Sequence, residues 1–520
     1  MKHIQLQVPR TQLKRAVRIL RPPKEASNGH QKKSFQSTNA TTNSIRYAHA
    51  LPKRLPEPME DLTTMLADQI ADFSTADLSD RAIYRSKRMI IDSIGVGVIG
   101  SQTDISNTLR QFAVETNGIS DKCRSIVWGT GKLKMSPPAA AYLNGASTHT
   151  MDFDDTWHPA THPSGPVLPA ILALADALPS SFQPSLEDVL VAFNIGIQTQ
   201  GALLRCSNNA KKIPNRLHPP AIVGVMGSAA ASSRLLGLGP WKCRHALAIA
   251  ASFAGAPMAN AGTMTKPLHA AKSARFGLEA ALLAEKGIEG NNQILDMVSG
   301  FGAYYEDYDP DMLINLMRDA DNVLLHDQDI AIKRYPCHLG MHWGIDATLS
   351  VREDIKEELG KLSFRDIKVI EITAPKSKYI NRPIPKSEHD GRHSFQFTVC
   401  SALLDGQVSP ETFHKDNRER NSLIQLLNKT VVETPDDNHP SFADMYVKVS
   451  VHFNNGKVFE KICLTPYGHW RFPLSDRDVQ EKFWRNSKIL DMDKQNEIIK
   501  LVKKMDAQTP SKDLSSLLQL

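Results

Sequence analysis

The sequence predicts a mainly α-helical protein in which a smaller α+β domain is inserted into a large all-helical domain. Apolar residues recur at helical spacing from about residue 59 to 325, strand-like alternation follows, and the helical period returns after Pro473. The length of 520 residues is also too great for one ordinary core. We expect a basic segment and linker over 1–58, helical parts over 59–329 and 466–520, and the α+β domain over 330–465.

The first 50 residues differ in charge from the rest of the chain. They hold ten Lys or Arg and one acidic residue, which gives +9; the whole chain is +6, so the remainder is −3. An Arg-, Ser- and Thr-rich stretch without a secretory apolar region is typical of a mitochondrial transit peptide, and a disordered basic tail is the alternative. We expect import into the mitochondrial matrix, and the body's charge gives no support for nucleic-acid binding.

The first helical part is rich in Ala and Gly, which permits close contact between helices. The stretch over 246–264 is the most membrane-like, but Pro257 interrupts it, so we expect a buried helix and a loop and no membrane insertion. Ser79 is the expected N-cap of the second helix. The helices of this part are predicted over 59–73, 80–97, 137–150, 165–178, 186–204, 222–235, 242–253 and 270–285.

The α+β domain is predicted from alternating apolar residues over 367–373 and from a hairpin over 445–464. Asn455-Gly456 supplies the tight turn of that hairpin. A helix over about 393–404 lies between these strands, and the second helical part contributes helices over 479–484 and 496–505.

The glycine and cysteine patterns of the sequence indicate neither a dinucleotide site nor a zinc site. The Gly-x-Gly-x-x-Gly sequence over 95–100 ends a helical pattern instead of joining a strand to a helix, which indicates helix packing and not dinucleotide binding. The six cysteines are at least 37 residues apart, which indicates neither a zinc site nor a disulfide framework and is typical of a reducing compartment.

A loop over 151–165 concentrates polar side chains between two apolar helices. Its three carboxylates and two histidines are Asp152, Asp154, Asp155, His158 and His162. Such a cluster marks a functional site, a metal site or a structural loop, and the residues alone leave all three open, although no standard metal-ligand spacing is present. Further basic loops around His218, Lys266, Lys333 and Arg382, in a body of net −3, favour a pocket for a small polycarboxylate.

The sequence Asp152-Phe-Asp-Asp-Thr156, followed by His158-Pro-Ala-Thr-His162-Pro-Ser-Gly, resembles the signature loop of the MmgE/PrpD family. The resemblance runs from about 60 to 515 and implies a large helical domain, a smaller lid domain, a homodimer, and neither cofactor nor metal. Cys337 stands where alanine is usual, which could slightly reshape the pocket. The other matching motifs include His218-Pro-Pro, Thr265-Lys-Pro-Leu-His269, Asn381-Arg-Pro383, Arg392-His-Ser-Phe-Gln396 and Tyr467-Gly-His-Trp-Arg471.

The resemblance implies site residues at eight positions. They are Asp152, Thr156, His162, His218, Lys266, Lys333, His338 and Tyr379. His162 is the expected proton donor, with Asp152 orienting or charging it, and Lys266 the catalytic cation. The remaining cations and histidines would bind carboxylates, and Thr156 and Tyr379 would add hydrogen bonds.

The implied reaction is the cofactor-independent decarboxylation of cis-aconitate to itaconate and CO₂ by an allylic shift. The lid would supply Lys333, His338 and Tyr379, so its closure would complete the site. A 2-methylcitrate dehydratase of the same family is the nearest alternative. A metal-dependent hydrolase and a non-catalytic helical scaffold are more distant ones.

Overall fold

The computed structural model describes residues 61–157, 161–206, 213, 216–318, 330–361, 363–377 and 380–520. The basic segment with its predicted targeting role lies outside these residues, as do Tyr379 and His158. Most of the described secondary structure is helical, and the strands are short, so the predicted mainly α-helical fold is confirmed.

The first helical part buries Ala- and Gly-rich helices against one another. The helices are α1 (Leu62–Asp72), α2 (Asp80–Gly100), α3 (Asp104–Asn117), α4 (Pro137–His149), α5 (Ser164–Ala177), α6 (Leu186–Leu203), α7 (Val223–Leu235), α8 (Pro240–Phe253), α9 (Lys266–Glu285) and α10 (Pro310–Arg318). The Ser79 side chain caps α2 by accepting a hydrogen bond from Ala82 N, as predicted.

Glycines allow these helices to approach closely. A Cβ at Gly100 would lie 1.8 Å from the carbonyl oxygen of Ser147 on α4, and one at Gly97 would lie 2.6 Å from the Trp128 ring. The glycines of the Gly-x-Gly-x-x-Gly sequence therefore serve helix packing, as predicted. α8 is buried over most of its length and gives way to a loop, and no helix in the described ranges is long and apolar enough to cross a membrane.

Two short antiparallel ladders tie the first helical part together and join it to the α+β part. β1 (Ser125–Ile126) pairs with β2 (Lys134–Met135), and β3 (Thr156–Trp157) pairs with β4 (Ile330–Ala331). The β3–β4 ladder links the polar loop to the segment that carries Lys333. It is a contact between residues more than 170 positions apart.

The α+β part is built on a four-stranded sheet of order β6-β5-β7-β8. β5 is parallel to β6 and antiparallel to β7, and β7 and β8 form the predicted hairpin, in which Gly456 has φ of 88°. Its elements are α11 (His342–Leu359), β5 (Ile367–Thr373), α12 (Glu388–Gly391), α13 (Phe395–Asp405), α14 (Lys415–Arg418), α15 (Asn421–Leu427), β6 (Thr430–Glu433), β7 (Val447–Phe453) and β8 (Val458–Cys463).

The last helices return to the first helical part. They are α16 (Asp476–Asn486), α17 (Met492–Lys504) and α18 (Ser511–Ser516). Phe483 of α16 packs so closely on α2 that a Cβ at Gly95 would lie 3.1 Å from its ring. One large apolar core joins residues from 62–332 with residues from 474–518, and a second core lies within 331–463. The exact domain boundaries stay a prediction.

Candidate active site

The polar loop begins where α4 ends. α4 finishes at His149, and Asp152 then has a left-handed backbone with φ of 51°, a conformation that Asp and Asn tolerate better than most residues. After this turn, Thr156 and Trp157 pair with β4. Because Lys333 follows β4 by two residues, the ladder holds it beside the turn.

Asp152 is the centre of a buried ionic cluster. One carboxylate oxygen accepts a hydrogen bond from Lys266 and the other from Lys333, which also donates to the main-chain carbonyl of Asp152 at 2.9 Å. His393 Nε2 lies 3.3 Å from the carboxylate, and all four side chains are less than a tenth exposed. The two ammonium groups and the Asp152 carboxylate sum to +1, and the buried Asp154 carboxylate, 3.9 Å from Lys333 Nζ, brings the sum to zero.

Electrostatics keep this cluster ionised. Burial would raise the pKa of Asp152, but the ammonium groups of Lys266 and Lys333 outweigh it and hold the pKa well below its ordinary value. Burial likewise would lower the pKa of Lys333, and the carboxylates of Asp152 and Asp154 raise it above its usual range instead. The site therefore holds two fixed ammonium groups, paired with two carboxylates and withdrawn from bulk water.

His162 is oriented by the loop's own backbone. Its Nδ1 lies 2.8 Å from the carbonyl oxygen of Asp155, which can only accept, so Nδ1 carries the hydrogen and Nε2 is free in the neutral ring. Thr156 Oγ1 is 3.4 Å from the same nitrogen. Burial is the main reason that the pKa of His162 falls to about 3, although the Asp154 carboxylate raises it.

The structure places a carboxylate other than that of Asp152 in the ion-pair position beside His162. Ligand atoms of Asp152 and His162 still lie within 4.8 Å of each other, so a role of Asp152 in charging His162 stays a prediction. Asp152 is taken up by the two lysines, because the β3–β4 ladder brings Lys333 to its carboxylate. The carboxylate beside His162 is that of Asp154, at 3.7 Å, and it also holds His149 Nδ1 at 2.8 Å.

A different contact fixes the third carboxyl group of the loop. Asp155 accepts hydrogen bonds from the side chain and the backbone N–H of Ser164, at the start of α5. Burial raises the pKa of Asp155 to about 7. The three acids therefore have distinct partners, and Asp155 fastens the end of the loop to the next helix.

Lys482 supports the loop from the second helical part. It donates to the Phe153 carbonyl at 3.0 Å, lies 2.6 Å from the Asp92 carboxylate and sits 3.9 Å from the centre of the Phe153 ring. Both ionic partners are buried, which raises the pKa of Asp92 and lowers that of Lys482. The pair connects α16 with α2 across the back of the loop.

Four imidazole rings extend from the ionic cluster into the first helical part. The ring centres of His149 and His162 are 4.6 Å apart, and His218 lies about equally far from both, at 6.0 and 6.3 Å. Nδ1 of His218 is hydrogen-bonded to Nδ1 of His269 at 3.0 Å. Burial, reinforced by the charge on Lys266, holds the pKa of His218 well below its ordinary value.

The donor atoms could in principle surround a metal ion. One nitrogen each of His149, His162 and His218 lie within 4.8 Å of one another, as do ligand atoms of Asp152, Asp154 and His162. However, the ammonium groups of Lys266 and Lys333 already balance the carboxylates of Asp152 and Asp154, so no negative charge is left over to attract a cation. The arrangement fits a polyanionic ligand better than a divalent metal, and metal analysis of the purified protein tests this.

Comparison with known proteins identifies the family of the chain. Residues 64–312 match the MmgE/PrpD N-terminal domain, and residues 335–507 match the MmgE/PrpD C-terminal domain. The chain belongs to the MmgE/PrpD family. The resemblance noted in the sequence is thereby confirmed, and it covers both helical parts and the α+β part.

Several curated relatives of the chain are named for an enzymatic activity. The chain is 46% identical over 463 residues to the cis-aconitate decarboxylase of Homo sapiens, which covers 89% of this chain and 95% of that protein. It is 45% identical to the cis-aconitate decarboxylase of Mus musculus, covering 89% of this chain and 94% of that protein. A cis-aconitate decarboxylase of Aspergillus terreus is 26% identical over 479 residues, with 88% and 95% covered.

The structure brings seven of the eight expected MmgE/PrpD site residues into one region, and the eighth, Tyr379, lies outside the described residues. His338 joins the group through His393, whose ring centre is 5.5 Å from its own. Its Nδ1 accepts a hydrogen bond from Gly340 N at 3.2 Å. The roles of these residues stay predictions.

Sequence reasoning missed three histidines of this region. His149 ends a predicted helix and so resembled an ordinary core histidine, whereas His269 stands in a motif that matched the family but had no role assigned to it. His393 stands in a motif that matched the family but had no role assigned to it. Only its proximity to Asp152 in space indicates one.

Proposed function

We propose that this MmgE/PrpD protein decarboxylates cis-aconitate to itaconate and CO₂ without an added cofactor. The observation that carries the proposal is the buried cluster of Lys266, Lys333 and Asp152 beside His162, in a chain 46% identical to the human relative named for this activity. Two buried ammonium groups with several imidazole rings beside them suit a substrate with three carboxylates.

The chemistry requires stabilisation of a carbanion. The bond to the carboxylate on the methylene carbon breaks, CO₂ leaves, and the electron pair spreads through the allylic system toward the far carboxylate. Lys266 and Lys333 are positioned to stabilise that charge, and they need no reorganisation because Asp152 already holds them in place. Decarboxylation then needs only a proton at the former vinyl carbon.

His162 is the proposed donor of that proton. Its Nδ1–H is held by the Asp155 carbonyl, so Nε2 is the nitrogen that can take up and deliver a proton. The ring is neutral in the ligand-free site because burial depresses its pKa to about 3. A bound trianion raises the pKa of neighbouring imidazoles, since opposite charge favours the protonated form, so substrate binding itself would turn His162 into an acid.

Product analysis in D₂O tests the reaction. We expect NMR to show itaconate with one deuterium in its methylene group and none on the terminal alkene carbon, which inherits both hydrogens from the substrate methylene. Citrate or isocitrate as the product would mean that the pocket adds water and would favour the dehydratase alternative. Deuterium on the alkene carbon would contradict the allylic shift.

His162→Asn tests the donor in the same assay. Asparagine keeps a hydrogen-bond donor near the Asp155 carbonyl but cannot release a proton, so CO₂ release and deuterium incorporation should fall together by about 10²-fold or more. Conversion of cis-aconitate by this variant at the wild-type rate would remove His162 from the mechanism.

We further propose a homodimer. The described helical part exposes Phe112, Phe182 and Trp241, each by more than half, and exposed aromatic side chains are the kind that subunit interfaces cover. Sedimentation equilibrium should give twice the chain mass of 57.6 kDa. A concentration-independent monomer mass would contradict the proposal.

The proposed location is the mitochondrial matrix, on the composition of the first 50 residues. A chain starting at Met59 should fold and turn over substrate as the full chain does, and in cells a fluorescent fusion of it should lose mitochondrial signal. Retained import would contradict targeting by this segment. Loss of activity with an intact fold would place the segment at the site.

A further inference from the structure

The decarboxylation consumes one proton in every turnover. The bond to the leaving carboxylate breaks, its electron pair remains on the allylic carbanion, and a new C–H bond takes the proton of the donor. This step rests on the proposed function and on His162 as that donor. His162 is 8% exposed, so a route for protons from solvent to this ring is needed before the next turnover.

The hydrogen bond between His218 and His269 has the geometry of such a route. Their Nδ1 atoms are 3.0 Å apart, so one ring donates and the other accepts. A ring that takes up a proton at Nε2 can therefore release the proton on its Nδ1 to the other ring across this hydrogen bond. Both rings are at most 5% exposed, which keeps the transfer inside the protein.

The inner end of the pair reaches the donor. Ring nitrogens of His218, His149 and His162 lie within 4.8 Å of one another, a distance that one small rotation or one water molecule closes. His149 Nδ1 is held by Asp154, while its Nε2 has no hydrogen-bond partner among the described residues and is free to accept. The carboxylate of Asp154 favours positive charge at this point.

The outer end of the pair opens into a cavity. His269 lines a space of about 470 Å³ together with Tyr142, Asn260, Lys272 and Arg275. All residues that line this cavity fall between 112 and 276, in the first helical part. Access to His269 therefore does not pass through the α+β part, which supplies Lys333 and His338.

We propose that His269 and His218 form a proton relay that recharges His162 from this cavity. A proton from solvent binds Nε2 of His269 as the proton of the His269–His218 hydrogen bond moves to His218. His218 then releases its Nε2 proton toward His162, directly or through His149. Only N–H bonds change, and the proton consumed at carbon is replaced from water while the substrate side of the site stays closed.

The variant His269→Ala tests the relay. We expect kcat to fall about tenfold or more while KM and the melting temperature stay near wild type, because the variant loses proton delivery and keeps the ionic cluster. Imidazole added to the buffer should occupy the vacated cavity and restore a large part of kcat. The solvent isotope effect on kcat should rise, since proton delivery becomes slow.

The matched control is His245→Ala on α8, another buried histidine of the first helical part, whose Nδ1 contacts the Gly290 backbone. It should show neither the loss of kcat nor rescue by imidazole. If His269→Ala does not fold, His269→Gln keeps a side-chain hydrogen bond to His218 without a ring to pass protons. It should show the same loss and the same rise in isotope effect.

Two results would overturn the relay. One is a kcat of the His269→Ala variant within twofold of wild type. The other is a lower kcat that imidazole does not restore and that is not accompanied by a larger solvent isotope effect. Wild-type enzyme assayed in parallel distinguishes failure of the relay from failure of the proposed function. Absence of itaconate from wild type refutes the function and the relay with it, whereas normal turnover by both proteins refutes the relay alone.

Discussion

Replacement of Lys266 by methionine tests the proposed catalytic role of Lys266 separately from its contribution to stability. Methionine keeps the unbranched shape and removes the charge. Lys266 is 6% exposed and pairs with Asp152, which retains Lys333 and His393 as partners in the variant. Because Asp152 keeps Lys333 as a cation, the free energy of unfolding should fall only by the contribution of one ionic hydrogen bond, about 1.5–3 kcal/mol.

The effect on the reaction should be larger. Loss of one positioned group that stabilises developing negative charge costs about 10²–10³ in kcat, or about 2.7–4 kcal/mol in the transition state. Itaconate formation followed by NMR at saturating cis-aconitate gives kcat, and urea unfolding gives the stability. Lys286→Met is the matched control, since Lys286 directly follows the last residue of the same helix and its side chain is 76% exposed.

The reasoning about Lys266 would be refuted by a folded Lys266→Met variant whose kcat is within tenfold of wild type. It would also be refuted if Lys286→Met lost as much activity, because a general change in charge would then explain both. Lys266→Arg offers an internal check. It restores charge at the wrong geometry and should recover only part of the lost rate.

Two further predictions concern stability. Lys482→Met leaves the Asp92 carboxylate buried without its cation and should destabilise the protein by about 3–5 kcal/mol in urea unfolding. The double variant with Asp92→Asn should recover part of this stability. Equal losses in the single and double variants would contradict the pairing. The free energy of unfolding should also fall as pH drops from about 6.5 toward 4. Burial lowers the pKa values of several histidines, so these rings stay neutral in the folded state but bind protons in the unfolded state. Each such histidine should cost up to about 1.4 kcal/mol of stability per pH unit. Burial raises the pKa of Asp155 to about 7 and that of Asp176 to about 6, and it also raises the pKa values of Asp92 and Asp346, which acts in the opposite direction. The described histidines with a lowered pKa outnumber these four carboxyl groups, so a melting temperature that stays level from pH 7 to 5 would contradict the prediction.

The helices and the hairpin were predictable because burial imposes a period on the sequence. The predicted strand over 367–373 coincides with β5, and the turn at Gly456 lies where Asn-Gly placed it. The cluster of acids and histidines after α4 was also predictable, since polar side chains between apolar helices need a reason to be there. These features are all encoded locally.

The partners within the site were not predictable in the same way. Asp152, Asp154 and Asp155 are nearly consecutive, and which of them faces a lysine depends on the turn at Asp152 and on the pairing of Thr156 with Ala331. A ladder between residues so far apart leaves no local pattern. The sequence therefore indicated residues that the fold brings together, but it could not indicate that Asp154 lies beside His162.

The left-handed backbone at Asp152 changes how a substitution library at this position should be interpreted. Alanine and β-branched residues add about 1–2 kcal/mol of backbone strain to the loss of the carboxylate, whereas asparagine and glycine adopt this conformation readily. Depletion of alanine from a screened library would thus overstate the contribution of the negative charge. Asparagine, which keeps the side-chain shape and the turn, is the substitution whose fitness reports the charge alone.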